Sequence, residues 1–313
     1  QAQTTAEDNT AVGTLALAAT NNSRNLGVGY RALTAQSGTS DNIAIGYDAL
    51  VKQTTGANGN IAIGNYAGRA VVDSASTSQL VAIGHSVASN ASAALAGYQN
   101  VFIGYNIAST SALAGAFQNT ALGGSAMTAL STGDQNTCIG NRAGDAITTG
   151  SNNVLIGYDS GSDALTTVST GSNNIVLGNN STAVAEVKVD WTVGSDERDK
   201  TDIENLPNNA GLNFVNQLRP VTYVWDNRSN YYKPTDEKYG ERDHSKKSTT
   251  KQVGFIAQEV KAIEESIGWT EDHIVNTSNE QSYKLTYSQV IPMLTKAIQE
   301  LSSEVDELKN KLN

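Results

Sequence analysis

Residues 42–46 read Asn-Ile-Ala-Ile-Gly, and residues 60–64 read Asn-Ile-Ala-Ile-Gly again. The pattern Asn-x-x-(Val/Ile/Leu)-Gly spreads outward from this pair in both directions. Its copies open at Asn9, Asn25, Asn42, Asn60, Leu80 (a leucine in the asparagine place), Asn100, Asn119, Asn136, Asn153 and Asn174. The closing glycines run from Gly13 to Gly178 at intervals of 16 to 21 residues. Ten copies in register at that period are the mark of a solenoid or stacked array.

Each copy has the chemistry of a short β-strand. Ile43 and Ile45, Ile61 and Ile63, Val101 and Ile103, or Val154 and Ile156 flank a residue that is often small, such as Ala44, Ala62 or Ala82. Period-2 alternation puts the two β-branched residues on one face. The glycine that follows permits a sharp turn, and Gly97, Gly133, Gly150 and Gly171, three residues before an asparagine, supply a second corner. The asparagine falls at one place in every coil, where its amide is expected to bond the same amide above and below. Ala16, Ala32, Ala49, Ala67, Ala126 and Ala143 mark a second inward site that admits only a small side chain. Coils stacked ~4.8 Å apart predict a thin rod. A coil this small encloses little apolar area, so association of several chains is the physical remedy. The repeats resemble those in the heads of trimeric autotransporter adhesins, which implies a trimeric parallel β-roll, and also those of phage tail-fibre shafts. Either a bare shaft or one that also touches a receptor fits this pattern.

Composition changes abruptly near residue 194. Residues 1–194 hold 24 of the 28 glycines, none of the four prolines and 17 charged residues; residues 195–313 hold 35 charged residues. Such a break marks a domain boundary. The expected organisation is a β-solenoid shaft over 1–181, a junction over 182–194, and an α+β domain over 195–313. The net charge of −10 argues against wrapping nucleic acid or lying on an anionic membrane. No apolar run approaches the ~20 residues of a membrane span. The lone Cys138 excludes an intrachain disulfide and a cysteine-based zinc cluster. His85, His244 and His273 lack ligand spacing, so no metal and no cofactor are expected. The chain opens at Gln1, and its start carries no targeting information.

The second part opens Ser195-Asp196-Glu197-Arg198-Asp199-Lys200 and continues with GLNFVNQLRPVTYVWD (211–226), VGFIAQEV (253–260) and YSQVIPMLTKAIQEL (287–301). A serine followed by acids is also a good helix start, and the six residues alone favour that cap. The S-D-x-R-x-K opening, the LRPV stretch and GFIAQEV together resemble the C-terminal intramolecular chaperone of endosialidase-type phage tailspikes and tail fibres. That resemblance implies a trimerising domain that helps a β-structured stalk to fold and then cuts itself off. It implies Ser195 as nucleophile and Lys200 as general base, acting on the Gly194–Ser195 bond; cleavage on the other side of Ser195 stays open. Asp196 and Arg198 complete the motif. Chemically, a serine hydroxyl needs a base to take its proton, and a lysine serves once desolvation or nearby cations favour its neutral form. Gln258 and Glu259 read as solvent-facing, and Trp225 as core.

Tyr287, Ile291, Leu294, Ile298, Leu301, Val305, Leu308 and Leu312 follow an unbroken 4-3 spacing, the a/d seam of a coiled coil over 287–313. Glu304 and Lys309 fall at g and e. β-branched a with Leu at d leans toward dimers; the family resemblance says trimer. The alternative is one helix packed on its own domain.

These readings converge on a homotrimeric virion tail fibre or appendage, assembled in the host cytoplasm. Its expected partners are other tail or baseplate proteins and a host-surface receptor, a glycan among the candidates. The competing reading is a cell-surface adhesin. A glycan-cleaving tailspike is disfavoured, because paired carboxylates are needed and Asp41, Asp48, Asp73, Asp134, Asp145, Asp159 and Asp163 recur at no constant depth in the repeat. Asp48 and Asp159, both following Gly-Tyr, read as surface decoration.

Overall fold

The computed structural model describes residues 8–18, 23–35, 39–52, 58–69, 79–90, 99–110, 113, 115–163, 166–232, 236–271, 273–280 and 282–312. Gly97, Asp73 and residue 313, each part of an expectation above, lie outside them.

Ten three-residue strands form one parallel sheet: β1 (Thr10–Val12), β2 (Leu26–Val28), β3 (Ile43–Ile45), β4 (Ile61–Ile63), β5 (Val81–Ile83), β6 (Val101–Ile103), β7 (Thr120–Leu122), β8 (Thr137–Ile139), β9 (Val154–Ile156) and, after a two-strand ribbon, β12 (Ile175–Leu177). The ribbon, β10 (Ser162–Asp163) against β11 (Thr166–Thr167), accounts for the long last interval. Like pairs with like: Ile43 with Ile61, Ala44 with Ala62 and Ile45 with Ile63. The chain therefore contains a parallel β-solenoid, as the repeat predicts.

The asparagines form the expected ladder. Asn42 N–H donates to Asn25 Oδ1 at 3.0 Å, Asn60 N–H to Asn42 Oδ1 at 2.9 Å, and Asn136 N–H to Asn119 Oδ1 at 3.0 Å. Asn136 Nδ2 also donates to that oxygen at 3.0 Å and to Gly150 O, at the corner of the next coil, at 2.8 Å. Each amide thus satisfies polar groups of its neighbours where the chain bends, out of water's reach. Leu80 N–H donates to Asn60 Oδ1 at 2.9 Å, but the leucine side chain offers the next coil no acceptor.

The face question left open by the sequence has a clear answer. In β3 to β9 the middle residue of the strand points inward: Ala44, Ala62, Ala82, Phe102, Ala121, Cys138 and Leu155 are buried. The flanking branched residues point outward and are half-buried or exposed. Inside the coils, the middle residues meet Ala32, Ala49, Ala67, Val87, Ile107, Ala126 and Ala143; Ala16, in the first coil, is only half-buried. Gly46 shows why the closing glycine recurs. Its φ is +136°, and a Cβ there would lie 2.4 Å from the carbonyl oxygen of Gly64 in the next coil. Less expected, each coil also holds ordinary residues in the left-handed region, such as Arg31 (φ 56°), Leu33 (φ 54°) and Asp41 (φ 63°). Regular hydrogen bonds to adjacent coils offset the cost, for example Leu33 N–H to Ala49 O at 3.1 Å.

The chain divides into two compact units, 1–185 and 186–313. Residues 183–194 have no regular structure, and Val187, Val189, Trp191 and Val193 alternate along them, all exposed. The second unit is mixed α/β. Helix α1 (Leu212–Gln217) leads into β13 (Val221–Val224), which pairs antiparallel with β14 (Lys251–Gly254). Helix α2 (Ala257–Ser266) follows, then the ribbon of β15 (Val275–Asn276) and β16 (Lys284–Leu285), then α3 (Val290–Leu312). Phe214, Val260, Ile263, Ile274, Val275, Val290 and Met293 form its core.

Helix α3 uses two faces. Val290, Met293 and Ala297 are buried in its own unit, and Glu300 Oε2 accepts from Leu212 N–H at 2.7 Å, tying α3 to the start of α1. Pro292 sits in the first turn, where no intrahelical bond is lost. The seam residues Ile291, Leu294, Ile298, Leu301, Val305, Leu308 and Leu312 stay 41 to 86 % exposed. Tyr287 departs from the expected seam: it lies in a 3₁₀ turn before the helix, stacked on Phe255, and its hydroxyl oxygen accepts from Phe255 N–H at 3.1 Å. Trp225 is a correction too. It is 54 % exposed and packs edge-on against Tyr223 rather than entering the core.

Candidate functional site

The second unit's first turn is built around Asp196. Its Oδ1 accepts from Arg198 N–H at 2.9 Å, capping the 3₁₀ turn Glu197–Asp199, and its Oδ2 holds Arg198 Nη2 at 2.6 Å. Asp196, not Ser195, is therefore the cap. Arg198's hydrogen bonds hold the Asp196 carboxyl below the usual carboxylate range, and the carboxylate in turn raises the guanidinium. With the cap taken by its neighbour, the Ser195 hydroxyl is free for another contact.

That contact is Lys200. After the 3₁₀ turn the chain leaves in extended geometry (φ −121°, ψ 149°), and the long side chain folds back five residues. Lys200 Nζ lies 2.7 Å from Ser195 Oγ and 3.3 Å from Ser195 O. A hydroxyl and an amine at that separation are within proton-transfer reach. Both residues are exposed. At Gly194 a Cβ would meet nothing within 4 Å, so the carbonyl preceding Ser195 is open to approach. Ser195, Lys200, Asp196 and Arg198 thus come together, while the α3 seam forms a separate apolar surface.

Two clusters escaped the sequence reading. Arg219 of the LRPV stretch and Glu259 of the FIAQEV stretch form a bidentate pair, with Arg219 Nε 3.1 Å from Glu259 Oε2. Glu259 thus clasps helix α2 to the segment that enters β13 rather than being a plain solvent-facing acid, and the hydrogen bonds of Arg219 keep its carboxyl low. Asp226 accepts from Tyr231 Oη at 2.8 Å and contacts His244 Nδ1 at 2.7 Å, pinning the loop between β13 and β14. The aspartates after Gly-Tyr are also not decoration. Asp48 is buried between Arg31 and Arg69, and Asp159 pairs with Arg142 at 3.2 Å. The only hint in the sequence was the arginine one coil away, whose partner is fixed by stacking rather than by local spacing.

Among the described residues no helix is long and apolar enough to cross a membrane, and no group of three or more His, Cys, Asp or Glu is placed to hold a metal ion. No curated protein and no solved structure matches the chain. One family model does, over residues 195–269, and its description is "Chaperone of endosialidase". The match opens at Ser195, the residue facing Lys200. After its parallel β-solenoid in sequence, the chain carries at residues 195–269 a region similar to the endosialidase chaperone.

Proposed function

We propose that this chain is the subunit of a homotrimeric phage tail fibre whose C-terminal domain gathers three copies, sets their register and is then released by cutting before Ser195. The observation that carries the reading is the 2.7 Å approach of Lys200 Nζ to Ser195 Oγ at the opening residue of the chaperone match.

In the proposed reaction Lys200, as the neutral amine, takes the Ser195 Oγ proton. Oγ attacks the Gly194 carbonyl carbon, one residue back, closing a five-membered ring. The Gly194–Ser195 C–N bond breaks, the released Ser195 amine takes the proton, and Gly194 is left as an ester on Oγ. Water then hydrolyses that ester, freeing a carboxylate on Gly194 and a new amino terminus at Ser195. No external substrate is consumed and each chain reacts once. A lysine is neutral far more often when desolvated, and here it is exposed. Assembly of three chains supplies the missing burial, so cutting follows trimerisation rather than preceding it.

Three apolar features support the trimer. They are the open α3 seam, the alternation Val187, Val189, Trp191, Val193 ahead of the scissile bond, and the outward Ile/Val/Leu stripe of the solenoid, including Leu122, Ile139 and Ile156. A single chain leaves all three facing water. Association of three copies would cover each of them. The host-surface receptor and the virion partners belong to the same reading.

Intact-mass measurement after expression tests it. The expected species are a trimer and two fragments, 1–194 and 195–313, with one uncut chain in both Ser195→Ala and Lys200→Ala. A wild-type chain that stays whole and monomeric sinks the proposal.

A further inference from the structure

The turns that follow the strands of coils two to six each carry one exposed or half-buried aromatic side chain. Tyr30, Tyr47, Tyr66, His85 and Tyr105 form a continuous ladder with ring centroids 5.2 to 5.8 Å apart. Beside it opens a cleft of about 390 Å³ lined by Arg31, Tyr47, Asp48, Tyr66, Arg69 and Ser86.

Asp48 at the base is 2 % exposed, in left-handed backbone (φ 54°) fixed by its N–H to Tyr30 O at 3.0 Å. Arg31 Nη1 stands 3.5 Å from Oδ1, and Arg69 Nε 3.8 Å from Oδ2. These are ion-pair distances without hydrogen bonds: Asp48 Oδ1 and Arg69 Nε are both buried and lack a hydrogen-bond partner. Buried polar atoms are rarely left this way, and an orphaned pair lining a cleft calls for an explanation. The pair also selects its guest. An anion would meet the guanidiniums but be repelled by Asp48, and a cation the reverse. A hydroxyl donates to the carboxylate and accepts from the guanidinium through one oxygen. The walls add a second requirement, because Tyr47 and Tyr66 offer apolar ring surface, and Arg69 lies over the Tyr66 ring at 5.4 Å from its centroid. Neighbouring hydroxyls on a ring with apolar C–H faces meet both demands.

We propose that this cleft binds a neutral saccharide, with one sugar's hydroxyls at Asp48 and Arg69 and further sugars laid along the aromatic ladder. The proposal deepens the receptor-facing part of the fibre reading and rests on a wound solenoid, not on self-cleavage. A neutral ligand also suits a chain of net charge −10, which steers anionic glycans away.

The full-length assembly is to be applied to an array of neutral hexose and N-acetylhexosamine oligosaccharides printed beside sialylated and sulfated ones. Retention on at least one neutral glycan is expected, weakened at least about tenfold by Asp48→Asn and by Tyr47→Ala, since the site loses a charge-assisted bond or a stacking face. Tyr158→Ala should change nothing: Tyr158 holds the same place after Gly157 that Tyr47 holds after Gly46, but in a coil outside the cleft. Protection of Cys138 from alkylation checks that each variant is wound; if Asp48→Asn loses it, Tyr47→Ala decides. No neutral glycan retained, retention of acidic glycans alone, or retention that survives the deciding variant overturns the proposal. A chain that cuts itself but binds no neutral glycan refutes the saccharide site alone; one that binds but never cuts refutes the self-cleavage alone.

Discussion

In the proposed self-cleavage, the chemistry at Ser195 and Lys200 turns on one proton. Lys200 Nζ, 2.7 Å from Ser195 Oγ, is placed to take it. Lys200→Arg, whose guanidinium keeps its proton, should lose about 100-fold or more, the size of effect usual for a general base. A time course of cutting by mass spectrometry checks this, and an unchanged rate in the variant would remove Lys200 from the role of base. In the solenoid the corresponding single-residue question concerns Asn136. Changing it to Ala strips Asn153 of an acceptor for both its N–H and its Nδ2, at 3.1 and 2.9 Å. Leaving such buried donors unpaired costs about 1–3 kcal/mol. Two residues on, Cys138 offers the readout, because burial alone pushes its thiol up to about 12. At neutral pH neither access nor thiolate is present, so alkylation reports opening of this coil. The Asn136→Ala chain should label faster than wild type. Equal rates would mean that the amide ladder adds nothing to coil stability.

The elements differ in how openly the sequence announces them. Each strand is only three residues long, too short for any propensity to decide, yet ten copies in register made the solenoid legible. Which face of the strand looked inward was not legible, because Ile43 and Ile45 are the apolar residues and Ala44 the nondescript one. Only the tightness of the coil, where the next Ala49 and Leu50 already fill the interior, sends the larger pair outward. The left-handed backbone at Arg31, Asp41 and Asp48 was hidden for a similar reason: hydrogen bonds between coils, not residue type, impose it. In α3 the heptad spacing gave the seam, and the buried Val290, Met293 and Ala297 explain how one helix both anchors to its unit and keeps that seam open. Tyr287 fits the spacing but is claimed by Phe255, a partner 32 residues away in sequence. Ser195 and Lys200 were recognisable from the motif, while the cap that frees the serine, Asp196, was not. Seam and core face are separable by mutation. Leu301→Asp places a carboxylate on the seam and touches nothing in the unit's core. It should leave the helix content intact, shift the intact mass from trimer to monomer, and lower the fraction cut at micromolar chain by about tenfold or more through lost effective concentration. Leu301→Asp that remains trimeric would assign the seam to no interface at all.

Over the whole chain, the two units have opposite folding problems. The first stacks ten parallel strands whose contacts all reach at least a coil away, a slow process that leaves sticky edges exposed. The second has a compact core of its own around Phe214 and a helix ready to meet its copies. In the proposed assembly, gathering three chains at the C-terminal end would bring their last coils together first, with winding then proceeding from β12 toward β1. In the proposed reaction, cutting at Gly194 would remove the helper once it has acted, leaving the finished shaft held by its barrier to unwinding rather than by equilibrium. Melting and cooling distinguish the two states. The uncut Ser195→Ala assembly should regain its β-signal and its Cys138 protection on cooling, because each chain still carries its clamp. The cut wild type, once melted, should stay unwound or aggregate, even though its shaft sequence is identical. Equal recovery of both would show that three solenoids find their register unaided, and the reason for attaching and then discarding residues 195–313 would disappear.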